Sequence, residues 1–257
     1  MVFLSDPLDR LATIGAIERH SAQAWPAPRV TQYHGWELRL SPALASRRVN
    51  SLNAVSPEAG RFPDALQQAR SACAQTGVAC HVRMLPLAGS DAVEHLRSLG
   101  ISGAAETTVK TMALDRAFPI DARVKLATVL TDEWLDTYLA VEYHADGERA
   151  AIRAALTTIP FPQAFVIAYD EGRPSAVGRG VVHEGWLGIY QIATLPDARR
   201  RGLAHGVVTA LLEWGRGIAA RCAYLQVVTS NGPARALYQS LGFEPLYTYD
   251  YWTLPPT

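Results

Sequence analysis

An internal repeat constrains this chain more than any other feature. HLRSLGI (His95–Ile101) and LYQSLGF (Leu237–Phe243) both read as the close of a short helix, and their glycines, Gly100 and Gly242, stand 142 residues apart. The same offset carries Cys80 onto Cys222 in the strand-like runs ACHVRML and RCAYLQVV, Gly60 onto Gly202, and the helical stretch Phe62–Gln75 onto Ala204–Gly217. An ordered series of matches implies two copies of one module. Each copy reads as strand, glycine turn, helix, strand, helix ending in Leu-Gly, and a last extended segment, ETTVKTMAL in one and EPLYTYDYWTL in the other. That alternation predicts α/β architecture. The boundary falls at DRAFPIDAR, Asp115–Arg123, and separates a domain over 1–115 from one over 120–257. In the second half VKLATVL, QAFVIAYD, PSAVGRGVVHE and GWLGIYQIATL read as strands, with turns at Asp170–Pro174 and Glu184-Gly185, and TDEWLDTYLAV and DGERAAIRAALTTI read as helices.

Composition limits what such a pair can do. At 257 residues and 49% hydrophobic, the chain has room for two modest cores. Its 24 acidic and 24 basic residues cancel, so no overall field draws nucleic acid or anionic membrane. The opening MVFLSDPLDRLATIGAIERHSAQ carries acidic residues and no basic n-region, and reads as an amphipathic helix capped by Ser5 or Asp6. No run reaches membrane-spanning length. The three cysteines lack C-x-x-C spacing, which fits a cytoplasmic location, and the seven histidines are scattered singly, so no metal site is expected.

The stretch RRRGLAHG (Arg199–Gly206) precedes the apolar helical run VVTALLEWGRGIAA. A strand that enters a tight turn and then a helix presents unpaired N–H groups at the positive end of the helix dipole, which suits a diphosphate. Gly202 and the small Ala204 permit close backbone approach, and Arg199, Arg200 and Arg201 add charge. One or two of the three arginines are expected to touch phosphate. Neither a Walker turn nor a completed G-x-G-x-x-G is present.

These residues carry a resemblance. Arg199-Arg200-Arg201-Gly202-Leu203-Ala204 matches the R/Q-x-x-G-x-G/A turn of the GCN5-related N-acetyltransferases, and Asn231 through Phe243 resembles that family's N-x-x-A-x-x-x-Y-x-x-x-G-F segment. The resemblance covers the chain from about Val124 onward. It implies tandem modules, each a splayed, mostly antiparallel mixed sheet flanked by helices, with acetyl-CoA as co-substrate in the second. The cofactor arm would lie between IYQIATL and AYLQVV, facing Ile192, Ala193 and Thr194, with the diphosphate on Arg199 to Ala204, Leu203 included. The Ile192 N–H would polarise the acetyl carbonyl. Tyr238 would protonate the departing thiolate, a nearly balanced transfer for phenol and thiol pKa values of roughly 10 and 8.5. Asn231 would hold the cofactor arm or a water beside it, or serve as an ordinary helix cap.

The first half keeps the scaffold without this chemistry. By the offset, Arg199–Ala204 fall on Pro57-Glu58-Ala59-Gly60-Arg61-Phe62, which puts a bulky ring where an anion would approach, and Tyr238 and Asn231 fall on Leu96 and Gly89. That half is read as a degenerate module that does not bind CoA and shapes the acceptor pocket. In SRRVNSLNAV, Arg48 and Asn50 alternate onto one face to grip an acceptor carboxylate or phosphate; alternatively Asn50, Ser51 and Asn53 cap loose backbone. Glu142, Tyr143 and His144 are candidates for the acceptor side and for the base, which stays unassigned. Tyr247, Tyr249 and Tyr251 either line that pocket or pack.

The reading is an N-acetyltransferase that moves acetyl from acetyl-CoA to a primary amine, by preference on a small molecule, by direct attack in a ternary complex; no cysteine or serine is placed as nucleophile. The alternative is a non-catalytic acyl-CoA-binding sensor. A monomer or homodimer is expected, with no nucleic-acid or membrane partner.

Overall fold

The computed structural model describes residues 7–141 and 147–255. The first half forms α1 (Pro7–Ala24), β1 (Arg29–Tyr33), β2 (Trp36–Leu40), β3 (Ser51–Ala54), α2 (Phe62–Thr76), β4 (His81–Met84), α3 (Ser90–Ser98) and β5 (Gly103–Ala113). The second half forms β6 (Val124–Ala127), α4 (Asp132–Val141), α5 (Glu148–Thr157), β7 (Gln163–Asp170), β8 (Arg173–His183), β9 (Trp186–Thr194), α6 (Leu203–Gly217), β10 (Cys222–Val228), α7 (Gly232–Ser240) and β11 (Glu244–Thr253). The architecture is mixed α/β. No helix among the described residues is long and apolar enough to cross a membrane.

Contacts gather the chain into two compact units that do not follow the halves 1–115 and 120–257. The N-terminal unit takes the described residues up to Val109, then Val227–Gly232, then the described residues from Leu246 onward. The C-terminal unit takes Lys110–Gln226 and Pro233–Pro245. The last strand of the second half therefore belongs with the first: β11 runs antiparallel to β4, with Asp250 opposite Met84 and Thr253 opposite His81.

In the N-terminal unit the strands follow the order β1-β2-β3-β4-β11-β5. β1 to β3 are antiparallel, and β3 pairs parallel with β4 through Leu52–Val82 and Asn53–Arg83. Ile14 and Ile17 of α1, Leu38, Leu52, Val82 and Trp36 fill the core, with Phe62 tilted on Trp36 at 4.8 Å. A buried polar cluster crosses the same unit. Arg83 of β4 forms a two-pronged ion pair with Glu18 of α1, its Nη2 3.1 Å from Oε1; the Tyr247 hydroxyl donates to Glu18, and the Tyr249 ring lies 3.8 Å below the Arg83 guanidinium.

The C-terminal unit has the order β10-β9-β8-β7-β6, antiparallel except for the β9–β10 pair. Its hairpins close on Glu171-Gly172 and Glu184-Gly185, both residues of each left-handed (φ 50° and 81°, 47° and 78°), the turn type whose twist matches that of the strands. α6 packs on one face through Leu203, Val207 and Leu211. It lies so close to β8 that a Cβ on Gly178 would meet Val207 Cγ1 at 2.5 Å, which explains the glycine. On α4, Trp134 is fully buried and meets Phe165 edge-on at 5.3 Å.

Removing one member of a buried ion pair leaves an uncompensated charge, so Glu18→Ala is expected to cost about 3–5 kcal/mol of unfolding free energy. Chemical denaturation measures it; a loss below about 1 kcal/mol would show the cluster to be solvated.

Candidate active site

The site is built on one irregularity of β9. Its pairing with β8 runs Thr194–Ala176, Ala193–Val177, then resumes at Tyr190–Arg179, so Gln191 and Ile192 together face the single residue Gly178. This is a β-bulge, and Gln191 carries it with a left-handed φ of 55°. A bulge breaks the ladder, and the Gly178 carbonyl accepts instead from Trp134 Nε1 at 3.0 Å. On its other side β9 pairs with β10 only from Trp186–Cys222 to Ile189–Leu225. Among the described residues the β9–β10 register ends at Ile189–Leu225, and Gln191 through Thr194 lie beyond it, paired on the β8 side only. The predicted cofactor-facing residues Ile192, Ala193 and Thr194 all stand in that segment, with Ile192 and Thr194 half-buried and Ala193 buried.

The turn that follows reaches α6 through left-handed Arg200 (φ 62°) and Gly202 (φ 80°). The first helical bond is Gly206 N–H to Gly202 carbonyl, 3.0 Å, so the amides of Leu203, Ala204 and His205 have no acceptor within the helix. The arginines divide. Arg201 pairs with Asp170 at 2.5 Å, Arg199 Nε reaches the Thr194 carbonyl at 3.4 Å, and Arg200 is exposed with no ion pair. Arg123, which the sequence reading passed over, stands at the same turn: its Nη1 donates to the Arg201 carbonyl at 3.2 Å, and its Nη2 lies 3.7 Å from where a Gly202 Cβ would be. Asp121 binds Arg123 and packs on Gly206; its hydrogen bonds from Arg123 hold the carboxyl down to about 2. Nothing in the local sequence near Arg123 signals this, because the turn is 78 residues away.

Tyr238 lies in α7, buried, edge-on to Phe243 at 6.0 Å. Burial pushes its phenol up to about 12. With the phenol so raised, full proton transfer to a thiolate of roughly 8.5 would be uphill, and the role expected of Tyr238 would be met by a hydrogen bond in which it keeps its proton. Asn231 is exposed just before α7, its N–H bonded to the Val228 carbonyl at 2.9 Å.

Of the expected acceptor residues, Glu142, Tyr143 and His144 lie outside the described residues. Arg48 and Asn50 do not alternate on a strand. Arg47–Val49 is one turn of 3₁₀ helix, and strand begins at Ser51. The buried Asn50 amide is consumed by backbone: Oδ1 accepts from Ser41 N–H at 2.8 Å, and Nδ2 donates to the carbonyls of Ser41, Leu44 and Ser46 at 3.2, 2.7 and 3.2 Å. The capping alternative describes it. Tyr247, Tyr249 and Tyr251 are likewise buried, the first two in the Glu18–Arg83 cluster and the third under Arg47 at 4.8 Å.

The first-half turn also departs from the offset. Arg61, with φ 51°, takes the place of Gly202, and Phe62 takes that of Leu203, its ring inward on Trp36. The ring therefore does not stand over the turn. What differs there is Pro63 in the first helical turn, which lacks an N–H, and an Arg61–Asp64 ion pair at 2.7 Å that puts a carboxylate at the helix start.

Comparison with known proteins identifies the family and the fold. A family model described as probable histone acetyltransferase Rv0428c C-terminal matches residues 11–252. The uncharacterized N-acetyltransferase YobR of Bacillus subtilis (strain 168) is 26% identical over 118 residues, 46% of this chain; the match spans about half, 48%, of that relative. Among solved structures, a GCN5-related N-acetyltransferase from Kribbella flavida superposes with a TM-score of 0.70 at 18% identity, over 95% of this chain and 96% of that one. A tandem GNAT protein from the clavulanic acid biosynthesis pathway superposes with a TM-score of 0.64 at 15% identity, over 97% and 94%. These likenesses establish the tandem fold.

A phenol held near 12 stays protonated at about pH 10.5, where an exposed tyrosine is mostly ionised. Ultraviolet difference titrations of the wild type and Tyr238→Phe are expected to coincide up to that pH; a phenolate signal missing only from the variant would refute the buried assignment.

Proposed function

The chain belongs to the family described as probable histone acetyltransferase Rv0428c C-terminal, within the GCN5-related N-acetyltransferase superfamily, and we propose that it moves an acetyl group from acetyl-CoA to a primary amine by direct attack. The observation that carries this reading is the parting of β9 from β10 after Ile189–Leu225, with a bulge immediately beyond and the start of α6 after it. An arm that carries amides can add itself as a strand would along Gln191–Thr194, beyond the last β9–β10 pair. Its diphosphate then meets the amides of Leu203, Ala204 and His205, the positive end of the α6 dipole and the side chain of Arg200.

With the arm so placed, the thioester carbonyl faces the Ile192 N–H. The neutral amine attacks the carbonyl carbon, and the negative charge that builds on oxygen is met by that donor, a contribution of about 2.7–4 kcal/mol where such donors have been removed. As the tetrahedral adduct collapses, the C–S bond breaks and Tyr238 donates a hydrogen bond to the leaving sulfur. The proton lost by the amine passes to solvent or to a base on the acceptor side. Aminoglycoside, amino acid, polyamine and lysine side chain all present the required amine, and a small-molecule acceptor is our preferred class.

The N-terminal unit is proposed to hold no cofactor. There β3 and β4 stay paired through Asn53–Arg83, one residue short of the end of each strand, so no free edge precedes the turn, and Pro63 removes an amide from it.

Calorimetric titration with acetyl-CoA tests the reading. The wild type is expected to bind one equivalent. Valine at position 202 must adopt φ near 80° against its β-branch, so Gly202→Val is expected to weaken binding by tenfold or more, about 1.4 kcal/mol. No binding by the wild type would overturn the proposal, and a second equivalent would overturn the assignment of the N-terminal unit.

A further inference from the structure

Gln191 is, among the described residues, the one non-glycine residue inside a strand of the C-terminal unit whose φ is positive. A side-chain-bearing residue in that region is disfavoured by the crowding of Cβ on backbone and persists only where its surroundings hold it. What holds this one is visible. Arg179 Nε donates to Gln191 Oε1 at 2.6 Å, while Gln191 Nε2 is buried with no hydrogen-bond partner, so Oε1 is the carboxamide's anchor.

Arg179 is itself fully buried at 0% exposure, in the middle of β8, with its guanidinium 5.1 Å from the centre of the Tyr190 ring. Its Nη1 donates to Gln163 Oε1 at 3.0 Å, and Gln163 Nε2 donates in turn to the Leu156 carbonyl in the last turn of α5 at 2.9 Å. Trp134 Nε1 closes the same region by taking the Gly178 carbonyl opposite the bulge. Polar contacts thus run from α5 across β7 and β8 to the bulge in β9. A buried guanidinium costs several kcal/mol of desolvation, and an apolar residue of similar volume often serves stability as well or better. The use of an arginine here is explained by what it orients.

We propose that Arg179 is a positioning residue for acyl transfer: its bond to Gln191 locks the left-handed bulge and so aims the Ile192 N–H at the acyl carbonyl. The inference rests on the proposed transferase reading. Gln163 and Leu156 fix the guanidinium, the guanidinium fixes the Gln191 carboxamide, and the carboxamide fixes the peptide that precedes the oxyanion donor. With the bond removed, the Gln191–Ile192 peptide is free to relax toward an ordinary strand conformation, which turns the N–H away while leaving the diphosphate turn intact.

Isotope-edited infrared spectroscopy of carbonyl-labelled acetyl-CoA bound to the protein reads that donor directly, because a hydrogen bond lowers the thioester carbonyl stretch. Calorimetry on the same samples reads cofactor affinity. The wild type is expected to lower the stretch relative to free acetyl-CoA. Arg179→Met and Gln191→Ala are expected to lose most of that lowering while binding acetyl-CoA within about threefold of the wild type, a difference of about 0.7 kcal/mol or less. Gln191→Glu, which keeps the acceptor for Arg179, is expected to retain it. Thiol release with spermidine as the amine should fall by about 10- to 100-fold in the first two variants, up to the range seen when an oxyanion donor is lost.

A carbonyl stretch unchanged in Gln191→Ala would overturn this inference alone. Should Arg179→Met fail to fold, Gln191→Ala and Gln191→Glu still decide it, since they alter a half-buried side chain at the end of the brace. A wild type that binds acetyl-CoA without lowering the stretch would overturn the role of Ile192 and this inference with it; one that does not bind would overturn the proposed function.

Discussion

Every backbone N–H and C=O removed from water must find a partner, and β9 is where this chain makes that demand hardest to meet. The strand is held on one side by β8, but on the other β10 accompanies it for four residues only, from Trp186 to Ile189. A strand left open over its second half is either a liability or a binding edge. Here the opening coincides with a bulge and a left-handed residue, and the start of α6 follows in the chain. The surrounding packing is arranged to keep those features in place. Gly178 and Gly180 allow α6 to approach β8, Gly206 allows Asp121 to lie against α6, and Trp134 caps the carbonyl that the bulge releases.

The two copies of the module show how little separates a strand pair that opens early from one that stays closed. Both have a parallel pair of strands leading to a left-handed turn and a helix, and in both the first residue of that helix is a buried apolar side chain, Phe62 or Leu203. The difference is register. In the N-terminal unit the parallel pair reaches Asn53, next to the end of β3, whereas in the C-terminal unit it stops five residues before the end of β9. Where the N-terminal unit has no open edge, it has instead a buried ion pair, Glu18–Arg83, backed by tyrosines of β11. Buried polar groups removed from water must satisfy one another.

The features legible in the sequence were those set by local chemistry. The Arg-x-x-Gly-x-Ala turn, the helix after Asn231 and the Glu-Gly hairpin turns all depend on a few adjacent residues, and the structure places each where its pattern implies. Features that depend on partners far along the chain were not legible. The single-residue slip that puts Arg61 rather than Gly60 in the left-handed position is invisible to a fixed offset, because the register of the repeat is set by packing of Phe62 on Trp36. In SRRVNSLNAV, Arg48 and Asn50 stand two apart as on one face of a strand, yet Arg47–Val49 is a 3₁₀ turn and Asn50 spends its amide on three carbonyls. The exchange of β11 into the N-terminal unit leaves no mark in a strand whose tyrosines suit any half-buried sheet. Arg179 sits within GRGVVH, where nothing local distinguishes a buried brace from a solvated charge.

The arginine triplet illustrates the same division at the scale of single side chains. Three adjacent cations suggest three equivalent phosphate contacts, but a left-handed Arg200 between its neighbours sends the three side chains in different directions. Arg201 is claimed by Asp170 of β7 and Arg199 returns to the Thr194 carbonyl of its own strand, so both brace the turn against β7 and β9. Arg123 adds a further strut by donating to the Arg201 carbonyl. Arg200 alone among the triplet carries neither an ion pair nor a side-chain bond to the turn's own backbone. In the proposed reading the attraction for an anion would come chiefly from the amides of Leu203, Ala204 and His205, held at fixed positions, and the charged residues around them would act mainly to keep those amides aimed.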